Sequence, residues 1–328
     1  MSKFKVINNE TFEKLLEFYK YFDSKIKPYG INIYLYGSLS YLYYSGDENI
    51  VVGDIDLITK EENYSKIIEL FKDEKEITCE LTDHNSVRLF KDGAKLSIHS
   101  LELATKIADF TKNIENIEIN GVIFKSLGFS DIIKFYKKGS DYENPRKIGY
   151  KDKFNNLLEK YYESNYTFFI LKPSSLSRKS DNGKLIYQEI EDYIIENGFT
   201  IEDKREVILL GDDIEYLYRD EYEKLGKILG QDDINKAIEI NKKLYTNQKV
   251  IILIVKGNDA INKADYLKGN SYWPMKCRED SIRYIFRDKQ FDDFDFPIGK
   301  IVDVPCDNIV HCPKDFYEFS KVLVKWFL

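Results

Sequence analysis

The spacing of apolar residues divides the chain into helical and extended segments. Apolar residues three and four apart are typical of amphipathic helices, whereas alternating positions and short apolar runs indicate strands. In the first half of the chain, the helical pattern covers residues 9–26, 40–46, 62–73, 126–139 and 151–162. The extended pattern of the same half covers residues 31–39, 50–59, 76–82, 86–92 and 94–103.

The pattern restarts after a short polar break, ESNY, at residues 163–166. Strands are predicted at residues 166–173, 205–211 and 248–257, and helices at residues 184–198, 212–229, 258–269 and 315–328. The segment DSIRYIF leads into an acidic loop. The two halves have different orders of elements and contain no internal repeat. Together with a length of 328 residues, this predicts two domains, residues 1–163 and 164–328.

The amino-acid composition and the net charge limit the kinds of binding partner that we expect. Hydrophobic residues make up 43% of the chain, which is enough for packed cores, and the net charge is −7. Because the sequence has no strongly basic block, a broad electrostatic grip on nucleic acid is not expected, although a local basic pocket for phosphates is still allowed. The four cysteines have no paired CxxC spacing and the chain has three histidines, so we expect no structural zinc site.

The sequence also predicts the cellular location of the protein. The N-terminal stretch MSKFKVINNE has no apolar core of the kind found in secretory signals. No window approaches the run of about eighteen apolar residues that a membrane-spanning helix needs. We therefore expect a reduced, cytoplasmic protein with no membrane partner.

Two aspartates in the run VVGDIDLIT are the first candidate site. Asp54 and Asp56 lie two residues apart, so on a strand both side chains project from one face. Two uncompensated carboxylates there are costly, and Mg²⁺ resolves the conflict because it binds one or two carboxylates together with substrate phosphates. Gly37 and Ser38, after the preceding strand, offer close backbone approach and a hydroxyl to an NTP. The alternative is a strand end whose acids face solvent.

The order strand, Gly-Ser, helix, Asp-Ile-Asp resembles the nucleotidyltransferase superfamily related to DNA polymerase beta, in particular its minimal and antibiotic-modifying members. The run ENPRKIGYKDKFNNL resembles the Arg…Lys-Asp…Leu segment of lincosamide-type members. The likeness covers about residues 30–160 and implies a mixed sheet with helices. The family's third carboxylate is replaced here by Ser97, and His99 follows on the same face. Acids that could compensate for Ser97 are Glu80, Asp83 and Glu102.

A histidine near the C-terminus is the second candidate site. His311, in DNIVHCPKD, can act as a nucleophile toward a phosphoryl group if its ring is held in the correct tautomer. Lys172, Arg283 and Asn308 are residue types that hold triphosphate oxygens. The alternative is a partly buried histidine in a loop with no chemical role.

The order of these residues resembles nucleoside diphosphate kinase. That family has Lys-Pro after a strand, Gly-Phe after a helix, a later arginine and a final Asn-x-x-His, and this chain has Lys172, Gly198, Arg283, Asn308 and His311 in that order. The likeness covers residues 166–328. It implies a ferredoxin-like antiparallel sheet, a phosphate-accepting His311, and assembly into homo-oligomers as an open question.

Further positions follow from the same resemblance. Tyr218 falls near the tyrosine of the lid helices, and Ser271 replaces a threonine that binds phosphate. A helix arginine that grips phosphate corresponds to Asp265, which reverses the charge. The carboxylate that orients the histidine falls near Val322, which is apolar.

Together the two resemblances imply an α+β chain with two nucleotide-handling domains. The leading hypothesis is a nucleotidyltransferase that uses Mg²⁺ to move a nucleoside monophosphate from an NTP to a hydroxyl-bearing acceptor, which is a small molecule, a protein or an RNA. The kinase-like domain would bind, supply or modify nucleotide. Two alternatives remain: a non-catalytic nucleotide sensor, and a phosphohistidine kinase in which only the second domain is active.

Overall fold

The computed structural model describes residues 9–47, 50–110, 113–141, 149–225, 231–271, 273–294 and 307–328. The chain divides into two compact units, one that ends at Tyr161 and one that covers Tyr162–Phe327. Each unit has its own sheet, so the protein is of the α+β class with two sheets. Within the described ranges, no helix is both long enough and apolar enough to cross a membrane.

The first unit is built on a mixed sheet of seven strands. The strands are β1 (Tyr34–Leu35), β2 (Ile55–Thr59), β3 (Thr78–Leu81), β4 (Val87–Lys91), β5 (Ala94–Ser100), β6 (Ile114–Ile119) and β7 (Val122–Leu127). Their order in the sheet is β3-β4-β5-β2-β1-β7-β6. The pairs β2–β5 and β1–β7 are parallel, and the other pairs are antiparallel. A mixed sheet is what the sequence predicted for this half.

Five helices of the first unit follow predicted amphipathic segments, and a sixth, Leu101–Ala108, was not predicted. They are α1 (Asn9–Ile26), α2 (Gly37–Ser45), α3 (Tyr64–Phe71), α4 (Leu101–Ala108), α5 (Phe129–Ser140) and α6 (Tyr150–Tyr162). Apolar faces of α1 and α3 pack with the buried side chains of β2, β4 and β5 in one continuous core. That core holds the strand ends of the first candidate site in place.

Three details differ from the predicted elements of this unit. The strand expected at residues 50–59 begins only at Ile55, so Asp54 lies in a bend before it. The strand expected at residues 94–103 ends at Ser100, whose hydroxyl accepts a hydrogen bond from the Leu103 N–H and starts α4. The β6–β7 hairpin was not predicted, although Asn120-Gly121 at its turn is a strong hairpin signal.

The second unit has a four-stranded antiparallel sheet. Its strands are β8 (Tyr166–Leu171), β9 (Thr200–Ile208), β10 (Lys249–Lys256) and β11 (Val310–His311). Their order is β11-β8-β10-β9. The continuous apolar runs of β8 and β10 are explained by their central positions, where both faces are covered. The predicted strand at residues 205–211 instead starts at Thr200 and forms an edge of the sheet.

Helices of the second unit include all four that the sequence predicted. The set is α7 (Pro173–Ser177), α8 (Ile186–Glu196), α9 (Gly211–Leu225), α10 (Gln231–Tyr245), α11 (Ala260–Lys268), α12 (Ile282–Ile285) and α13 (Phe316–Trp326). The sequence did not predict α10. Residues 295–306 of the acidic loop, Cys306 among them, lie outside the described residues.

Candidate functional site

A tight turn between β1 and α2 forms the floor of the first site. Gly37 has a φ of +71°, which is the left-handed region that glycine adopts without strain. A Cβ atom on Gly37 would lie 2.3 Å from Asp56 Oδ2, so no other residue fits without displacing the carboxylate. The backbone N–H of Ser38, in the first turn of α2, donates a hydrogen bond to Asp56. The predicted Gly-Ser turn and Asp56 are therefore in direct contact.

Strand β5 supplies the wall of the same site. Because β2 and β5 are parallel neighbours, side chains two apart on β5 face the two aspartates. Lys95 Nζ lies 2.7 Å from Asp54 Oδ2, and the Ser97 hydroxyl donates a hydrogen bond of 2.9 Å to the same oxygen. His99 Nε2 lies 4.0 Å from Asp56 Oδ1. Ser97, expected at the position of a third carboxylate, therefore does lie against the aspartate pair.

The electrostatics of the pair leave excess negative charge. Burial and the neighbouring Asp54 raise the pKa of Asp56 to about 7, against the opposing effects of the Ser38 N–H, Lys95 and Lys153. A divalent cation would relieve this, because a bound ion favours the charged carboxylate. In the described part of the chain, no group of three or more His, Cys, Asp or Glu residues could hold a metal. Two carboxylates could hold Mg²⁺ only where other oxygen ligands, such as phosphates or waters, complete its coordination.

Two lysines of this site, Lys95 and Lys153, were not predicted from the sequence. Lys95 is one, and alternation with Ser97 and His99 on β5 was the available signal. The other is Lys153 of α6, whose Nζ lies 5.3 Å from the Tyr41 ring centroid and 5.5 Å from that of Tyr136. Burial lowers the pKa of Lys153, while the charge of Asp56 opposes the shift.

Other predicted contributors lie elsewhere or outside the described residues. Glu80 forms an ion pair of 3.6 Å with Arg88, and a Glu102 carboxylate oxygen accepts the Glu61 N–H at 3.2 Å. Both acids are thus engaged away from the aspartate pair. The arginine of the predicted Arg…Lys-Asp segment, at position 146, lies outside the described residues.

In the second unit, His311 is buried at the edge of the sheet. It lies on β11 opposite Ile170, and its ring centroid is 5.7 Å from that of Phe168 and 5.1 Å from that of Tyr218. A cavity of about 10 Å³ adjoins the ring. That volume is roughly what one water molecule needs.

Lys172 connects several of the predicted phosphate-binding residues. Its ammonium donates a short hydrogen bond to Asn308 Oδ1 and one of 3.2 Å to the Tyr245 hydroxyl. The same ammonium lies 5.6 Å from the Tyr218 ring centroid, and Lys172 is only 2% exposed. The structure therefore brings Lys172, Tyr218, Asn308 and His311 together through contacts within the protein.

Arg283 and Ser271 form a second internal group. The guanidinium donates from Nη1 to the Ser271 carbonyl at 2.7 Å and from Nη2 to the Val310 carbonyl at 3.1 Å. The Ser271 hydroxyl accepts a hydrogen bond from the Trp273 N–H at 3.1 Å. Both cations predicted to hold phosphate are thus engaged by protein oxygens.

Two charged residues of the second unit, Glu318 and Lys268, were not predicted from the sequence. Val322 lines the cavity beside His311, and Glu318, one turn earlier on α13, lines the same cavity. The helical spacing of four between them was the available signal.

Asp265, which stands where the resemblance implies an arginine, forms an ion pair of 2.5 Å with Lys268, whose side chain is 5% exposed. Lys268 therefore brings a positive charge into the interior next to the reversed position.

No family model matches the chain, and neither does any curated protein. Among solved structures, the chain is similar to a transition-state mimic of nucleoside diphosphate kinase from Borrelia burgdorferi with vanadate and ADP, at 17% identity and a TM-score of 0.37, over 50% of this chain and 86% of that one. The apo nucleoside diphosphate kinase from Encephalitozoon cuniculi is 20% identical, with a TM-score of 0.33, over 50% of this chain and 88% of that one. The NDP kinase from Pyrobaculum aerophilum is 19% identical, with a TM-score of 0.37, over 50% of this chain and 96% of that one. These TM-scores are low, so the likeness carries no weight for function.

Proposed function

We propose that the protein is a Mg²⁺-dependent nucleotidyltransferase. It would move a nucleoside monophosphate from an NTP to the hydroxyl of an acceptor, which is a small molecule, a protein or an RNA. The observation that carries this proposal is the contact of Asp56 with the Gly37–Ser38 turn, with Asp54 beside it. Carboxylates next to the N-terminus of a helix bring metal ligands and phosphate-binding N–H groups to one point.

Each residue of the site has a role in this proposal. Asp54 and Asp56 would hold Mg²⁺, which neutralises charge on the phosphates and polarises them. The Gly37 N–H and the Ser38 hydroxyl, at the start of α2, would donate to phosphate oxygens, while the Ser38 N–H holds Asp56. Lys153 would add positive charge near Asp56.

His99 is positioned to accept a proton in the same reaction. Burial lowers the pKa of His99, so its imidazole is largely neutral near pH 7 and can act as a base. In the proposed step, the acceptor oxygen attacks the α-phosphorus and its proton passes to His99. The bond from the α-phosphorus to the bridging oxygen breaks, and pyrophosphate leaves.

Nucleotide-induced stabilisation and pyrophosphate release test this proposal. We expect an NTP with Mg²⁺ to raise the Tm of the wild-type protein, and Asp54→Asn and Asp56→Asn to remove the Mg²⁺-dependent part. Pyrophosphate release should fall at least about 100-fold in both variants. Asp73→Asn, at an exposed turn of the same unit, is the matched control. Equal Mg²⁺-dependent stabilisation in all four proteins would overturn the proposal.

A second candidate function concerns the second unit, which we propose is a regulatory module that transfers no phosphoryl group through His311. Lys172 and Arg283 are engaged by protein oxygens, and the cavity beside His311 has room for about one water molecule. These observations weigh against phosphoryl transfer through His311. Incubation with [γ-³²P]ATP should leave no acid-labile label above that of His311→Ala. A label that only the wild type carries would instead support the phosphohistidine alternative.

A further inference from the structure

The ammonium of Lys95 and the hydroxyl of Ser97 share one oxygen of Asp54. Their distances to Asp54 Oδ2 are 2.7 Å and 2.9 Å. Both donors come from β5, two residues apart, so the strand itself sets this arrangement. A carboxylate oxygen that accepts two such bonds has little capacity left for a metal ion.

Two-ion sites for phosphoryl chemistry place the ions about 3.5–4 Å apart, so that one acts on the attacking oxygen and the other on the leaving oxygen. Such a pair brings four positive charges, and this site supplies only Asp54 and Asp56. The position at which the resemblance implies a third carboxylate holds Ser97. A divalent ion about 2.1 Å from Asp54 Oδ2 would lie within about 5 Å of the Lys95 ammonium, where like charges repel strongly.

We propose that this site binds one divalent ion and that Lys95 places a single positive charge where a second ion would otherwise lie. Asp56 and the other oxygen of Asp54 would hold the ion. Lys95 acts as a positioning residue because it fixes Asp54 through Oδ2 and keeps its own charge beside the pair. The inference rests on the proposed function, since it concerns how the same site holds metal and NTP.

Other charges near Lys95 are consistent with a single divalent ion beside the Lys95 ammonium. Arg88 on β4 lies opposite Ser97 in the sheet register and pairs with Glu80, so its charge is partly neutralised. Lys153 approaches Asp56 from α6. Lys95 itself is 34% exposed, and a long side chain at that exposure can move away. Movement of Lys95 on metal binding is the competing outcome, and it predicts two bound ions.

Counting Mn²⁺ by electron paramagnetic resonance tests the inference without any turnover. The full-length protein is titrated with Mn²⁺ in the presence of an NTP analogue with a methylene bridge between the α- and β-phosphorus. The variant Asp54→Asn/Asp56→Asn serves as the blank for ions bound elsewhere on the chain. We expect the wild type to bind one Mn²⁺ more than the blank, with no spin coupling between neighbouring ions.

A designed variant provides the complementary measurement. Lys95→Met/Ser97→Asp removes the ammonium and restores a third carboxylate, and we expect it to bind two Mn²⁺ above the blank with a spin-coupled signal. Lys95→Met alone is its control. Two coupled ions in the wild type would overturn the inference and leave the proposed function intact, whereas no ion above the blank would overturn both. A single ion in the designed variant would also contradict the role given to Lys95.

Discussion

Gly37 and Asp56 are in such close contact that the α-carbon of Gly37 can carry no side chain. A Cβ atom there would lie 2.3 Å from Asp56 Oδ2 and 2.8 Å from Asp56 Cβ. The backbone φ of +71° adds a second reason for glycine at this position. The first site therefore depends on a turn that only one residue type can form.

Gly37→Ala should separate these two effects. The left-handed backbone alone costs about 1 kcal/mol for alanine, and displacement of Asp56 adds to it. Gly30→Ala is the matched control, because Gly30 has a φ of +69° with no atom near the position of its Cβ. Chemical denaturation should show a larger loss for Gly37→Ala than for Gly30→Ala, and only Gly37→Ala should lose Mg²⁺-dependent NTP binding. Equal losses in both variants would mean that the close contact does not matter.

The raised pKa of Asp56 makes stability depend on pH. Burial and Asp54 raise this pKa to about 7, compared with about 4 in an unfolded chain. Between these values the folded state binds more protons than the unfolded state, so stability falls as pH rises from about 4 to about 7. In Asp56→Asn this contribution disappears, and the Tm of the variant relative to wild type should increase across that window. Parallel Tm curves for the two proteins would contradict the shift.

Lys153, not the lysine two residues earlier, should support NTP binding. Lys153 approaches Asp56, whereas Lys151 of the predicted Lys-Asp pair is exposed. Lys153→Met should weaken NTP binding about 10-fold, which corresponds to about 1.4 kcal/mol, and Lys151→Met should leave it nearly unchanged. Calorimetric titration with an NTP analogue and Mg²⁺ measures both. The reverse order of effects would indicate that the resemblance locates the lysine better than the structure does.

The internal contacts of Lys172 should make it a stabilising residue. Lys172→Met leaves the buried Asn308 carboxamide oxygen without its charged donor, at a cost of about 2–3 kcal/mol. Lys249→Met, which breaks an exposed ion pair with Glu206 in the same unit, should cost less than about 1 kcal/mol. Unfolding in urea measures the two differences. If Lys172→Met is as stable as wild type, the ammonium is held ready for a ligand and does not serve the fold.

Local patterns predicted most of the elements and failed where structure depends on partners far along the chain. The apolar runs of β8 and β10 and the amphipathic faces of α1 and α13 are visible in the sequence alone. The β6–β7 hairpin was missed although the sequence carries its signal, because apolar and polar residues alternate on both sides of Asn120-Gly121.

The candidate site shows the same division. Asp54, Asp56, Gly37 and Ser38 were predicted from short motifs, and the structure places them together. Lys95 was not predicted, because its contact with Asp54 comes from the parallel pairing of β2 with β5. Neither strand alone carries a signal for that pairing.

The most direct test of the account is a crystal structure with Mn²⁺ and a non-hydrolysable NTP analogue. We expect an anomalous peak for Mn²⁺ at bonding distance, about 2.2 Å, from carboxylate oxygens of both Asp54 and Asp56. Triphosphate oxygens should complete its coordination beside the Gly37–Ser38 turn. Nucleotide bound in the first unit with both carboxylates turned away from the metal, or with the metal elsewhere, would contradict it.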